Sequence, residues 1–228
     1  WRIARQDNTA WNNRLMFLNE LEKRAQIDEN RLDVSLNLAF LRGNVSRFDH
    51  KEAEIRVLLS ALQEYGLITD CHDDKHLRYT YKNRAVRKAL SGAGNILEML
   101  VLSLTSYLTQ DGQPFFHDCL MGVTIDWDGN GPARTNNEID VMAMHGMTPL
   151  FISCKNGQVA EAEMYKLSAV AARFGGGVAR KMLVVTDLAE NKRFAARERA
   201  ESLGIYLVDN AEELGRTAFR EHLVRATT

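Results

Sequence analysis

Two short apolar segments each carry a charge that burial would penalise, and they restrict the folds open to this chain more than any other feature. Asn137-Glu138-Ile139-Asp140-Val141 continues to His145, and Leu150 to Lys155 closes on Phe151-Ile152-Ser153-Cys154-Lys155. Both read as β-strands, the second set between Pro149 and Asn156-Gly157. Strand side chains alternate between faces, so Glu138 and Asp140 share one face. A buried charge needs a partner or a metal. Asp140 and Lys155 on neighbouring strands would meet that need together. A carboxylate can hold a hard divalent cation through oxygen, and an ammonium can face a developing anion or an attacking water. Glu98, the one acid in the apolar run Ile96 to Leu104, offers a second oxygen ligand.

The surrounding pattern alternates helix and strand. Asn95 to Thr109 reads as an apolar helix, Cys119 to Trp127 as a strand ahead of the two charged ones, and Met164, Leu167, Val170 and Ala171 as the buried stripe of a helix stopped by Gly175-Gly176-Gly177. Lys181 to Thr186 is a buried strand, Asn191 to Leu203 a helix, and Ile205 to Val208 a last strand before a terminal helix. The order is αβββαβ, then αβ and a helix: a mixed α/β sheet flanked by helices.

The first 90 residues read differently. Trp11, Leu15, Leu18 and Leu21 mark a buried helix face, and Asp49 and Gly66 bracket a second helix through Ile55, Leu58, Leu59 and Leu62. Leu67-Ile68-Thr69, a polar turn at Asp73-Asp74, and His76 to Tyr81 read as a hairpin. Helices followed by a hairpin suggest a winged-helix-like module. Lys75 to Lys88 holds six basic residues and no acid, with Tyr79 and Tyr81 interleaved. Lys75, Arg78, Lys82 and Arg84 are therefore candidates for nucleic-acid phosphate contacts, against the alternative of a solvated strand face on a linker or dimerisation module.

Charge supports two modules. The whole chain carries 29 basic and 30 acidic residues, which excludes global cationic attraction to nucleic acid. Residues 1–90 hold 16 basic and 13 acidic residues, and the remainder 13 and 17. The boundary is expected between residues 90 and 91, beside Gly92 and Gly94. Three cysteines make a disulfide framework a poor reading and fit a reducing, cytoplasmic setting. No apolar run is long enough to span a bilayer, so no membrane partner is expected.

Glu98 on the first helix, Asp140 in an E-I-D strand and Lys155 in S-C-K resemble the core of the PD-(D/E)xK nuclease superfamily. More narrowly, G-N-I-L-E at 94–98, N-E-I-D-V at 137–141, F-I-S-C-K at 151–155 and the Lys166-Leu167 helix resemble CRISPR-associated nucleases of the Card/Can type. The resemblance implies a restriction-endonuclease-like αβββαβ core that cuts DNA or RNA phosphodiesters with Mn²⁺ or Mg²⁺ in antiviral defence. It implies Glu98 and Asp140 as metal ligands, Lys155 as the catalytic cation and Lys166 as a supporting residue. With Ser153 at the position of the usual acid, metal binding would rely on Glu98, Asp140 and the carbonyl of Cys154, with Glu138, which shares a strand face with Asp140, as a further ligand or a supporting residue beside Ser153. It further implies a homodimer activated by cyclic oligoadenylate bound to an N-terminal CARF domain. The start at Trp1 leads to the expectation that such a domain precedes this chain.

One departure matters. The superfamily places an acid two residues before the lysine, and this chain has Ser153 there. That keeps open a rival reading, a catalytically inactive nucleic-acid-binding or signalling module on the same fold. Asp126 to Gly131 opens like a calcium loop, but position twelve is Asn137 instead of a bidentate acid, so a strand-connecting turn is expected.

Overall fold

The computed structural model describes residues 1–44, 48–70, 75–126, 136–157 and 159–228, with backbone alone at Asp70 and Asn136. Trp127 to Gly131 of the expected turn, Asp73-Asp74 and Cys71 lie outside the described residues. Two compact units emerge, Trp1–Ile96 and Leu97–Thr228.

In the first unit, Asp7 accepts a hydrogen bond from the Ala10 N–H at 2.8 Å and so starts α1 (Asn8–Arg24) by satisfying one of its open donors. Trp11, Leu15, Leu18 and Leu21 are all buried, as their spacing requires. β1 (Asp33–Asn37) leads into α2 (Leu38–Asn44) and α3 (Phe48–Glu64). The expected hairpin is β2 (Ile68–Asp70) and β3 (His76–Tyr81), followed by α4 (Arg84–Leu90). β3 also pairs with β1, giving an antiparallel sheet of order β1-β3-β2, so the hairpin has a third strand that sequence reading did not anticipate. Asp49 is not a cap. Buried Phe48 already opens α3, and Asp49 in its first turn pairs with Arg42 at 3.3 Å, where its charge still favours the helix N-terminus.

Tyr79 and Tyr81 correct the picture of a hairpin with surface aromatics. Both are 2% exposed, with rings in edge contact at 5.4 Å. Their hydroxyls donate to the buried carboxylate of Glu22, from Tyr81 at 2.6 Å. Arg87 pairs with the same carboxylate at 3.0 Å and donates to the Arg31 carbonyl. The buried acid is thereby both paired and hydrogen-bonded, which is what makes its burial tolerable.

The second unit begins within α5 (Asn95–Ser106), a few residues beyond the boundary expected at the end of α4. α5 stops before the expected Thr109, because β4 (Thr109–Gln110) and β5 (Gln113–Pro114) form a small hairpin through Asp111 and Gly112, both at positive φ. Then come β6 (Asp118–Asp126), β7 (Asn136–His145), β8 (Thr148–Asn156), α6 (Glu161–Gly175), β9 (Arg180–Thr186), α7 (Glu190–Ser202), β10 (Tyr206–Val208) and α8 (Arg216–Arg225). This is the expected αβββαβ order with its αβ and helical extension. The sheet runs β10-β9-β8-β7-β6, antiparallel across β6, β7 and β8 and parallel across β8, β9 and β10.

The stripe Met164, Leu167, Val170 and Ala171 buries α6 against Ile139, Phe151, Leu183 and Val185 of the sheet. Each large aliphatic side chain so buried stabilises the layer by about 1.5–3 kcal/mol. Pro149, Phe151 and Ala179 crowd Gly175: a Cβ there would lie 2.6 Å from that of Ala179, so only glycine allows the helix to end so close to the sheet. No single helix among the described residues is long and apolar enough to cross a membrane.

Candidate active site

The β7–β8 ladder runs from His145↔Thr148 to Val141↔Ile152 and stops there. Just beyond it the Asp140 side chain takes over from the missing strand partner. Its Oδ2 accepts the Cys154 backbone N–H at 2.6 Å and the Ser153 hydroxyl at 3.1 Å. On the other flank the β6–β7 register places Gly122 opposite Asp140, and Gly122 sits at φ 63°. Strand pairing is thus irregular on both sides of one carboxylate, which opens a cleft between the strand ends and α6.

Glu138, Asp140, Ser153, Lys155, Glu163 and Lys166 line that cleft over an apolar floor of Ile139, Ile152, Leu167 and Val170. Lys155 Nζ lies 3.9 Å from Asp140 Oδ2 and 3.1 Å from Glu163 Oε2. Burial alone would weaken the ammonium, but the negative charges of Asp140 and Glu163 outweigh it and hold Lys155 above the ordinary lysine range. Lys155 is therefore a full cation at neutral pH, bracketed by two acids.

Glu98 answers to the same charges. Burial first, then the negative charges of Asp140 and Glu138, raise its carboxyl to about 7, with Lys155 opposing. The site thus crowds acids until one is partly protonated at neutral pH. Burial likewise drives the Cys154 thiol well up, so that sulfur stays protonated and is no soft ligand; Cys154 contributes through its backbone.

The expected residues fall into two sets. Glu98, Glu138, Asp140, Ser153 and Lys155 come together, with Glu138 exposed and Lys166 on the exposed side of α6 at the rim. Lys75, Arg78, Lys82 and Arg84 lie on the first unit, all exposed. Among the described residues, no three His, Cys, Asp or Glu side chains form a ready-made metal cage. Carboxylate oxygen, an excess of negative charge and an incomplete shell are what a hydrated Mg²⁺- or Mn²⁺-type ion meets, because such ions keep several waters and use one or two carboxylates. Glu163 is the residue sequence reading passed over. Its signal was its place on one helix face with Lys166, Leu167 and Val170, three to seven residues apart.

No curated protein matches this chain. Protein VC1899 from Vibrio cholerae superposes over 97% of this chain with a TM-score of 0.65 and 24% identity. Can2 from Sulfobacillus thermosulfidooxidans, solved in complex with cyclic tetra-adenylate, does so over 99% with a TM-score of 0.58 and 18% identity. These similarities establish the fold, and this chain spans 53% and 54% of those two proteins' lengths. A family model described as the Card1-like endonuclease domain matches residues 83–227, which contain the whole cleft; the chain belongs to the Card1-like endonuclease domain family.

Proposed function

We propose that this chain is a metal-dependent endonuclease that hydrolyses phosphodiester bonds of DNA or RNA at the Asp140–Lys155 cleft. The observation that carries the reading is the convergence of Asp140, Lys155 and Glu163 where the β7–β8 ladder ends, with Glu98 sensing the same charges. Asp140 and Glu98 would hold Mn²⁺ or Mg²⁺, with the Cys154 carbonyl as a further oxygen donor. When bound, the ion supplies Lewis acidity and a water of lowered pKa.

The chain's own groups do the rest. The Cys154 N–H and Ser153 hydroxyl fix the Asp140 carboxylate in one orientation, so little reorganisation is left for the reaction. Glu163 keeps the Lys155 ammonium in the cleft, where it meets the negative charge that grows on the phosphate oxygens. Without the ion, the Glu98 carboxyl is held partly protonated near neutrality, so binding the ion there would displace a proton. Ser153 fits this arrangement: its hydroxyl donates to Asp140, whereas an acid there would add a third negative charge beside Glu98.

The relatives extend the proposal. Can2 was solved with cyclic tetra-adenylate. By analogy, this domain acts in CRISPR-type defence, as part of a cytoplasmic homodimer controlled by a cyclic oligoadenylate bound to a CARF-type sensor domain. Cleavage of supercoiled and single-stranded substrates with Mn²⁺ tests the core claim, comparing the wild type with Asp140→Asn and Lys155→Ala. Activity in the wild type alone supports it. Equal cleavage by all three proteins, or none by the wild type under any divalent ion, overturns it.

A further inference from the structure

The first unit holds a concavity of ≈ 750 Å³ between α1 and α4, lined among others by Lys23, Arg84, Arg87 and Lys88. Three of these cations are exposed and have no ion pair among the described residues: Lys23, Arg84 and Lys88. The fourth, Arg87, is 7% exposed and locked to Glu22, so it cancels the one acid buried in the floor and leaves Glu29 as the acid on the rim. Asn19, Asn30 and Ser91 add polar groups. The hairpin differs: Lys75 and Arg78 already have partners, and Arg78 faces a separate groove shared with Asp33.

We infer that this concavity, and not the hairpin, is where the first unit binds the phosphodiester backbone of a nucleic-acid strand. Three cations without an ion pair among the described residues, around a pre-neutralised floor, suit the phosphates of a backbone. Base stacking takes no part, because the ring nearest the floor, Tyr81, is buried and already faces the Arg87 guanidinium at 5.1 Å. Binding is therefore independent of sequence, and of the expected contact residues only Arg84 takes part in it. This rests on the nuclease reading for the identity of the ligand, though not for its chemistry.

The test uses the full chain with a chelator present, so that binding is read without cleavage. Anisotropy of labelled single strands of about 4 to 16 nucleotides is followed from about 50 to 200 mM salt. Joint Lys23→Gln, Arg84→Gln and Lys88→Gln replacement should weaken binding and flatten the log–log salt slope by about 2, near 0.7 per phosphate contact. Lys75→Gln with Arg78→Gln should leave the slope unchanged. The inference is overturned if the triple variant keeps the wild-type slope, if the hairpin pair carries the loss, or if inorganic phosphate alone competes as well as a strand at equal ionic strength. Cleavage by the same proteins with Mn²⁺ is scored separately: an inactive wild type sinks the nuclease reading, and an active wild type with an unchanged triple variant sinks only this one.

Discussion

Asp140→Asn and Asp140→Ala should part company, because the carboxylate anchors the β8 backbone and also carries the charge that the proposed ion would need. Both protein donors, the Cys154 N–H and the Ser153 hydroxyl, address the same oxygen, Oδ2. An asparagine can place its single carbonyl oxygen there and keep both bonds, losing their charge assistance and the part-exposed pair with Lys155, together worth about 1–2 kcal/mol. Removing a negative charge beside Glu98 returns part of that, since the half-buried Glu98 carboxyl is raised by its neighbour. Alanine leaves the Cys154 N–H, at the end of a ladder and with its residue buried, without its acceptor, at a cost of about 1–3 kcal/mol. Loss of side-chain packing adds to that. The expected melting order is wild type and Asn close together, with Ala lower by roughly 3–8 °C, at about 2–4 °C per kcal/mol for a chain of this size. Both variants should lose Mn²⁺ affinity in calorimetry, by at least about tenfold, as removal of a hard oxygen ligand demands. Equal melting of the two variants would show that the Cys154 hydrogen bond does not hold the strands. Retained Mn²⁺ affinity in Asp140→Asn would remove Asp140 from the metal site.

The remaining expectations are narrower. Glu98 is raised from 4.5 to about 7, so its protonation favours the folded, metal-free state: that contribution is present below about 4.5 and is lost as pH rises through 7. Melting measured in chelator at pH 5 and pH 8 should therefore show a wild-type advantage at acid pH that Glu98→Gln lacks; parallel pH profiles would refute the coupling. Glu163→Gln should keep Mn²⁺ affinity but lower kcat about tenfold or more through a less constrained Lys155, and unchanged kcat would leave the 3.1 Å pair without a role. Glu22→Leu leaves Arg87 and two tyrosine hydroxyls buried without their acceptor, and should destabilise the first unit by about 3–5 kcal/mol in urea unfolding; a loss below about 1 kcal/mol would contradict that network.

The strand-borne charges were legible because alternation and burial act locally: Asp140 and Lys155 stand out in any reading of their own segments. The αβββαβ order followed for the same reason, since each element declares itself within a dozen residues. What escaped was long-range. β1 is five residues long, and its pairings with β3 span 39 to 47 positions of sequence, so Val34 and Leu36 alone give a weak signal. Tyr79 and Tyr81 sit among basic residues and look like a surface, and only Glu22, far earlier in the chain, turns them inward. Glu163 resembles any helix-surface acid until α6 docks and sets it against Lys155.

The hold that Asp140 has on the β8 backbone has a consequence for relatives of this chain. A copy that had lost its chemistry would still be under pressure to retain the aspartate, because the strand ends depend on it for a backbone partner. Finding that residue in a homologue therefore says little about whether the homologue cuts. Lys155 is the better witness: its side chain is partly exposed and pairs with two acids, Asp140 and Glu163, instead of the backbone, so drift would erase it first once turnover no longer mattered.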